Sequence, residues 1–336
     1  MTILRAKNML QEPDEKSLDI TVIIPVLNEI DTIEPLHQRL RESLENLDKT
    51  YELIFVDDGS TDGTFQKLRN IYEKDDKTKI FQFRRNFGKA EALSIGFKMA
   101  KGDIIITMDG DLQDDPQEIP RFLKKIEDGF DVVSGWKKTR LDPLSKRLPS
   151  KLFNKVLRIF FKIHIHDFNC GFKAYRKDVV KSINIYGELH RYIPVLASAK
   201  GFSVGELSVK HHPREFGSSK YGASRLLKGL FDLFTILLLT RFKKRPLHLF
   251  GYIGSGFTGI AIIILCYLSL LWLLGKGPIG TRPLMWLGIL LLILGVQLFS
   301  TGILGELLVG LSHDNYETNS ISTILSHGSE RDKRQK

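Results

Sequence analysis

The sequence predicts an α/β protein with a mostly parallel sheet, followed by an interfacial helix and two transmembrane helices. Short β-branched runs alternate with helical patterns, and each run stops at a loop carrying Pro, Asp or Gly. Hydropathy then changes sharply near Leu247. Beyond it, Phe250–Leu274 and Leu284–Val309 are apolar for about the length that crosses a bilayer. The 336 residues are enough for one full-size domain and something smaller.

In order, Leu18–Val26 is the first predicted strand. Leu27-Asn28-Glu29 follows, then a helix that Asp31 can cap. Tyr51–Val56 is the second strand, stopping at Asp57-Asp58-Gly59-Ser60-Thr61-Asp62-Gly63. Lys79–Phe83 is the third, and Arg84-Arg85-Asn86-Phe87-Gly88-Lys89-Ala90 leads from it into a helix through Ala100. Ligands of such a sheet collect beyond the carboxyl ends of its strands, where three of these ends carry acids or a Gly-Lys pair. Asp57-Asp58-Gly59-Ser60 is also ordinary turn chemistry, and Asn86-Phe87-Gly88-Lys89 an ordinary helix start, although free N–H groups beside a lysine suit a diphosphate.

The fourth strand ends in the stretch that organises the rest, Ile104-Ile105-Ile106-Thr107-Met108-Asp109-Gly110-Asp111-Leu112-Gln113. In extended backbone Asp109 and Asp111 share one face, and Gly110 lets the loop bend around a ligand. Hard oxygen ligands facing one point suit Mg²⁺ or Mn²⁺, an ion that completes its shell with substrate phosphates.

Net charge is +10, which points to an anionic partner such as phosphates, nucleic acid or a lipid surface. Nucleic acid is the weakest of these, because the basic residues lie beside lipid-facing segments without interleaved exposed aromatics. The two cysteines, Cys170 and Cys266, lie in unlike regions, which argues against a disulfide framework or zinc site. The polar first nineteen residues contain no signal-peptide pattern. Ser224–Thr240 reads as an amphipathic helix lying in the membrane interface, or alternatively as a buried helix of the soluble domain. Arg241, Lys243, Lys244 and Arg245 crowd the entry to the first span, whereas the hairpin Gly275–Pro283 holds only Lys276 and Arg282. That bias predicts a cytoplasmic soluble domain.

The series V-I-I-P-x-x-N-E, V-D-D-G-S-x-D, N-F-G-K-x-x-A and D-G-D-L-Q-D-x-P resembles family 2 glycosyltransferases of GT-A fold. The nearest branch in pattern is the dolichyl-phosphate mannose synthase type, with its bacterial undecaprenyl-phosphate glycosyltransferases. The resemblance runs from about residue 19 to 221 and implies a domain plan: a polar extension 1–18, a GT-A domain 19–222, an interfacial helix and basic linker 223–247, a two-helix anchor 248–311 and a polar cytoplasmic tail 312–336. It implies an inner-membrane enzyme that transfers one sugar, with inversion, from a UDP- or GDP-linked donor to undecaprenyl or dolichyl phosphate, and a homo-oligomer.

By the same resemblance, Pro25, Glu29, Asp57, Lys89 and Asp109 line the nucleotide site, and Asp109, Asp111 and Gln113 hold Mg²⁺ or Mn²⁺. Arg147 and Ser150 of the Arg-x-x-Ser-x-x-x-Asn pattern hold the acceptor phosphate, with Arg140. That region departs from the family pattern, because Lys137 and Lys138 stand where Gly-x-Arg is common. Arg214 and Lys220, in His212–Tyr221, grip the donor diphosphate or the acceptor phosphate. Asp167 and Asp111 are the catalytic candidates, and His164 and His166 read as strand residues rather than ligands. Two alternatives are a catalytically dead nucleotide-binding membrane scaffold and a processive polysaccharide synthase. The synthase requires Gln-x-x-Arg-Trp, and none of Trp136, Trp272 and Trp286 follows an arginine.

Overall fold

The computed structural model describes residues 18–138, 157–158, 161, 163–212, 225–242 and 245–311. The chain divides into two compact units, the first reaching Asp232 and the second starting at Leu233.

In the first unit, β1 (Ile20–Val26), α1 (Ile33–Glu45), β2 (Tyr51–Asp57), α2 (Thr64–Tyr72), β3 (Thr78–Gln82), α3 (Lys89–Met99) and β4 (Ile104–Thr107) alternate as expected. A 3₁₀ turn, Pro116–Glu118, leads into α4 (Ile119–Glu127), followed by β5 (Val132–Trp136), β6 (Lys173–Arg176), α5 (Lys177–Ser182), α6 (Ile193–Ala199) and β7 (Val204–Ser208). The seven strands run in the order β3-β2-β1-β4-β6-β5-β7. All pairs are parallel except those of β6, which is antiparallel to β4 and β5.

Both faces of the sheet are covered, which is why its strands read as nearly unbroken apolar runs. The pleat sends Val22, Ile24, Phe55 and Ile106 to a core shared with Leu36, Leu40, Phe122 and Phe172. It sends Ile23, Ile54, Val56 and Ile105 to the other core, with Leu93, Phe97 and Tyr175. At the start of α1 the structure differs from expectation. Thr32, not Asp31, is the N-cap, and its hydroxyl donates to the Glu29 carbonyl instead of accepting a helix N–H.

The second unit holds α8 (Pro246–Leu273) and α9 (Pro283–Leu311), two helices long and apolar enough to cross a membrane. Each begins at a proline, whose missing N–H costs nothing in a first turn. Most of their side chains, including Tyr252, Ile263, Leu273 and Leu308, are exposed, unlike those of a buried core pair. The helices touch through glycine: a Cβ on Gly254 would lie 2.7 Å from the Gly295 carbonyl oxygen. Glu306 accepts the Leu247 N–H at 3.2 Å, one of the orphan donors at the start of α8, so its carboxylate is a helix cap. The amphipathic stretch forms α7 (Arg225–Thr240), with Phe231 and Phe234 exposed.

Candidate active site

The carboxyl ends of β1, β2 and β4 come together, and backbone donors stitch the first two loops. Asn28 N–H donates to Ser60 Oγ at 2.9 Å, Glu29 N–H to Thr64 Oγ1 at 2.9 Å and Ile30 N–H to Asp62 Oδ2 at 3.2 Å. Asn28, at φ 53, accepts the Thr61 N–H at 2.9 Å. The Asn-Glu pair after β1 is therefore held in place by the loop after β2.

Asp57 is buried and accepts Ser60 N–H at 3.0 Å and Gln82 Nε2 at 3.2 Å. Its neighbour Asp58 turns the other way and accepts Phe87 N–H at 2.7 Å and Gly88 N–H at 3.0 Å. The N–H groups that could have cradled a diphosphate at the start of α3 are thus already bound to a carboxylate. Burial pushes the Asp58 carboxyl above its ordinary value against the pull of those two donors.

What α3 contributes to the site is Lys89, whose Nζ pairs with Asp109 at the end of β4. Burial opposes charge on Asp109, yet Lys89, Lys137 and Lys173 hold its carboxyl down at about 2. Gly171 makes room for that carboxylate, because a Cβ there would lie 2.5 Å from Asp109 Oδ1. Gly110 and Asp111 form the turn after β4, as expected, and Leu112 follows it buried at φ 61, a conformation unusual for leucine and typical of strained functional loops. Gly110 also serves close approach, since a Cβ there would lie 2.9 Å from Val26 Cγ1. Asp111 is buried and accepts the Gln113 N–H at 3.2 Å, while the Gln113 carbonyl accepts His212 N–H at 3.0 Å.

A third carboxylate in this loop, Asp114, is buried and has its own cation. Lys137 Nζ lies 2.8 Å from its Oδ1. Burial works against the ammonium, but Asp114 and Asp109 hold Lys137 above its ordinary range. Lys137 is therefore not a solvated basic residue, although its sequence neighbourhood allowed that reading.

Asp167 is buried and accepts the Asn169 N–H at 3.1 Å. Its segment is anchored by Glu206 of β7, which accepts His166 N–H at 2.7 Å, Asp167 N–H at 3.1 Å and His166 Nδ1 at 2.7 Å. His166 also stacks on Trp136 with centroids 4.4 Å apart. His164 and His166 lie outside the strands, so the strand expectation for them fails. Cys170 is buried and its thiol is pushed up by burial to about 12, which leaves it inert; both Cys170 and Cys266 are free.

Pro25, Lys89 and Asp109 line one cavity with Thr107, Gly171, Lys173, Tyr175, His190 and Arg191. Lys173, His190, Asp58 and Glu206 were not singled out from sequence. Lys173 sits inside the Gly-Phe-Lys-Ala-Tyr segment, and Asp58 is the second acid of Val-Asp-Asp-Gly. Nothing in the sequence pattern marks His190 or Glu206. Arg140, Arg147, Ser150, Arg214 and Lys220 lie outside the described residues.

Among the described residues no group of three or more His, Cys, Asp or Glu side chains gathers to hold a metal. The donor set of Asp109, Asp111 and Gln113 fits an ion that takes one or two carboxylates and fills its shell with substrate phosphates, as Mg²⁺ does.

A mostly parallel sheet with acids at the carboxyl ends of β2 and β4 and a lysine facing the second is an arrangement suited to a phosphate-bearing ligand. The fold is GT-A-like. It aligns with glucosyl-3-phosphoglycerate synthase from Mycobacterium tuberculosis, solved with Mg²⁺ and UDP, at TM-score 0.50 and 20% identity, over 66% of this chain and 84% of that one. The same enzyme solved with Mn²⁺ and UDP-glucose aligns at TM-score 0.50 and 19% identity, over 68% and 84%. Residues 21–183 match Glycosyl transferase family 2. The dodecaprenyl-phosphate galacturonate synthase of Rhizobium johnstonii is 37% identical over 87% of this chain and 88% of its own length. The undecaprenyl-phosphate 4-deoxy-4-formamido-L-arabinose transferase of Pseudomonas paraeruginosa is 34% identical over 86% and 84%. The chain belongs to family 2 of the glycosyltransferases, and it is an enzyme of that class.

Proposed function

We propose that the protein transfers one sugar from a UDP- or GDP-linked donor to a polyprenyl phosphate, with inversion at the anomeric carbon. The observation that carries this reading is the β4 end, where Asp109 meets Lys89 at the head of the sheet with Asp111 two residues on, in a chain with two bilayer-length helices. The two relatives named for polyprenyl-phosphate transfer support the acceptor. The sugars in their names differ, so the donor sugar has to be read from this chain's own pocket.

In the reaction, an acceptor phosphate oxygen attacks the anomeric carbon. The bond from that carbon to the donor's phosphate oxygen breaks, and the nucleoside diphosphate leaves with the electron pair. Asp109, Asp111 and Gln113 would hold Mg²⁺ or Mn²⁺, which supplies charge neutralisation on the departing diphosphate. Lys89 adds a fixed positive charge at the same place. Pro25, Glu29 and Asp57 would frame the nucleotide. The acceptor's second pKa is about 6, so near pH 7 most of it is already a dianion and a strong base gains little. Asp167 accordingly acts as an orienting group; its burial and the grip of Glu206 on its backbone favour a fixed carboxylate.

The basic run Arg241–Arg245 supports an inner-membrane, two-span placement with the catalytic unit cytoplasmic. A homo-oligomer rests on the family resemblance alone.

The test uses the full chain in detergent with Mg²⁺ or Mn²⁺, undecaprenyl phosphate and radiolabelled UDP- and GDP-sugars. Label entering the organic phase, and lost on chelation, is the expected result. Nucleotide binding without transfer from any donor would instead indicate the scaffold.

A further inference from the structure

The cavity beside Asp109 contains one unbalanced charge. Lys89 and Asp109 satisfy each other, and Arg191 pairs with Glu188 at 2.7 Å. Lys173, at the start of β6, is only 3% exposed, and its Nζ donates to the backbone carbonyls of Phe168 and Cys170. Among the described residues no carboxylate pairs with it. Burial works against its charge, and Asp167 and Asp109 support that charge without an ion pair to it, so an anion entering the cavity would supply the direct partner it lacks.

A side-chain atom without a hydrogen-bond partner lines the same cavity. His190 Nδ1 is buried and has no hydrogen-bond partner. Burial, with Lys89, Arg191 and Lys173 nearby, holds the imidazole well below its ordinary range, so it is neutral and keeps one donor and one acceptor. Thr107, Asn169, Gly171 and Tyr175 are among the other lining residues, and Thr107 Oγ1 lies 3.5 Å from the Tyr175 hydroxyl. The cavity volume is about 10 Å³, which admits one oxygen-sized group and not a sugar ring.

We propose that Lys173 and His190 form a subsite for a carboxylate on the transferred sugar, so that the preferred donor is a nucleotide-linked uronic acid. One carboxylate oxygen enters the cavity against the Lys173 ammonium, His190 donates from Nδ1–H, and the ring stays in the cleft above Asp109. This rests on the reading of the protein as a nucleotide-sugar transferase. An acceptor phosphate is the other source of anionic oxygens, and the experiment separates the two.

The experiment compares sugar pairs that differ only in the carboxylate, UDP-galacturonate with UDP-galactose and UDP-glucuronate with UDP-glucose. It uses the full chain in detergent with Mn²⁺ and undecaprenyl phosphate. The expected kcat/KM favours the uronate of at least one pair by about tenfold or more, the scale of one added charged contact. Lys173→Met should bring that ratio to about one, whatever it does to the rates with both sugars of a pair. His190→Leu should cut the ratio several-fold, and it carries the test if the lysine variant fails to fold. Equal or better use of the neutral sugars overturns the proposal. So does a Lys173→Met variant whose KM for the lipid rises while the ratio stays, since that assigns the lysine to the acceptor. Displacement of a fluorescent UDP analogue separates the two readings. No transfer from any donor, with UDP-galacturonate still displacing the analogue better than UDP-galactose, removes the transferase reading and keeps the subsite. Equal displacement by the two removes the subsite.

Discussion

The ends of β2 and β4 are made from the same residues and serve opposite purposes. Each stops in two aspartates with a glycine close by. At β2, Asp57 and Asp58 are filled by donors from the protein itself: Ser60 N–H, Gln82, Phe87 N–H and Gly88 N–H. At β4, Asp109 meets the charged end of Lys89, a side chain able to move aside, in a cavity wall. Carboxylates whose backbone donors come from a different strand's loop, as Asp58 takes Phe87 and Gly88 N–H, fix the scaffold. Carboxylates facing movable cations are available to a ligand. The number of acids at a strand end therefore says little about its role; what donates to them does.

The comparison is sharpest in activity. Asp111→Ala should lower transfer by about a hundredfold or more, as expected for loss of an electrostatic clamp on a leaving diphosphate. The midpoint of thermal unfolding should change little. If unfolding falls steeply while transfer per folded molecule persists, the two strand ends do not differ in kind.

Gly59→Ala breaks the scaffold side. Gly59 sits at φ 76, and a Cβ there would lie 2.6 Å from the Arg85 carbonyl carbon, which is main chain and cannot step aside. The expected loss is about 3 kcal/mol of stability, read by denaturant unfolding. Asp58→Asn should cost about 2 kcal/mol, because one of the two N–H groups at the start of α3 loses its charged acceptor. It should also raise the KM for the donor by loosening Lys89.

The last prediction concerns pH. Asp109 is held at about 2 in the folded protein against an ordinary 3.8, so the folded state binds fewer protons there than the unfolded chain. Its contribution is complete above about pH 4 and disappears as pH falls toward 2; it is on the order of 2 kcal/mol. The difference in unfolding free energy between the wild type and Asp109→Asn should shrink over that window and stay flat above it. A constant difference from pH 6 to 2 would mean that the Lys89 pair does not lower this carboxyl.

Much of the scaffold could be read from sequence, because burial on both faces makes parallel strands continuous apolar runs and their ends abrupt. The pairing of Lys89 with Asp109 was also within reach, since both lie at carboxyl ends of one sheet. What could not be read is partnership across long separations. Asp58 reaches the loop after β3, Lys137 reaches Asp114, and Glu206 holds Asp167 from a strand far along the chain. Local patterns record which residue types stand together, not which donors fill them. The left-handed backbone at Leu112 escaped for a related reason: glycine is the usual sign of that conformation, and here a buried leucine adopts it just after the turn at Gly110.

The Glu306 cap on α8 bears on how the two apolar helices form together. A lone second helix would carry a bare carboxylate into the membrane surface, and a lone first helix would leave the Leu247 N–H without an acceptor. Each helix thus removes a defect in the other, and Gly254 against Gly295 allows the approach that lets them meet. The cap and the glycine contact therefore couple α8 and α9, so the pair forms as one helical hairpin rather than as two independent helices.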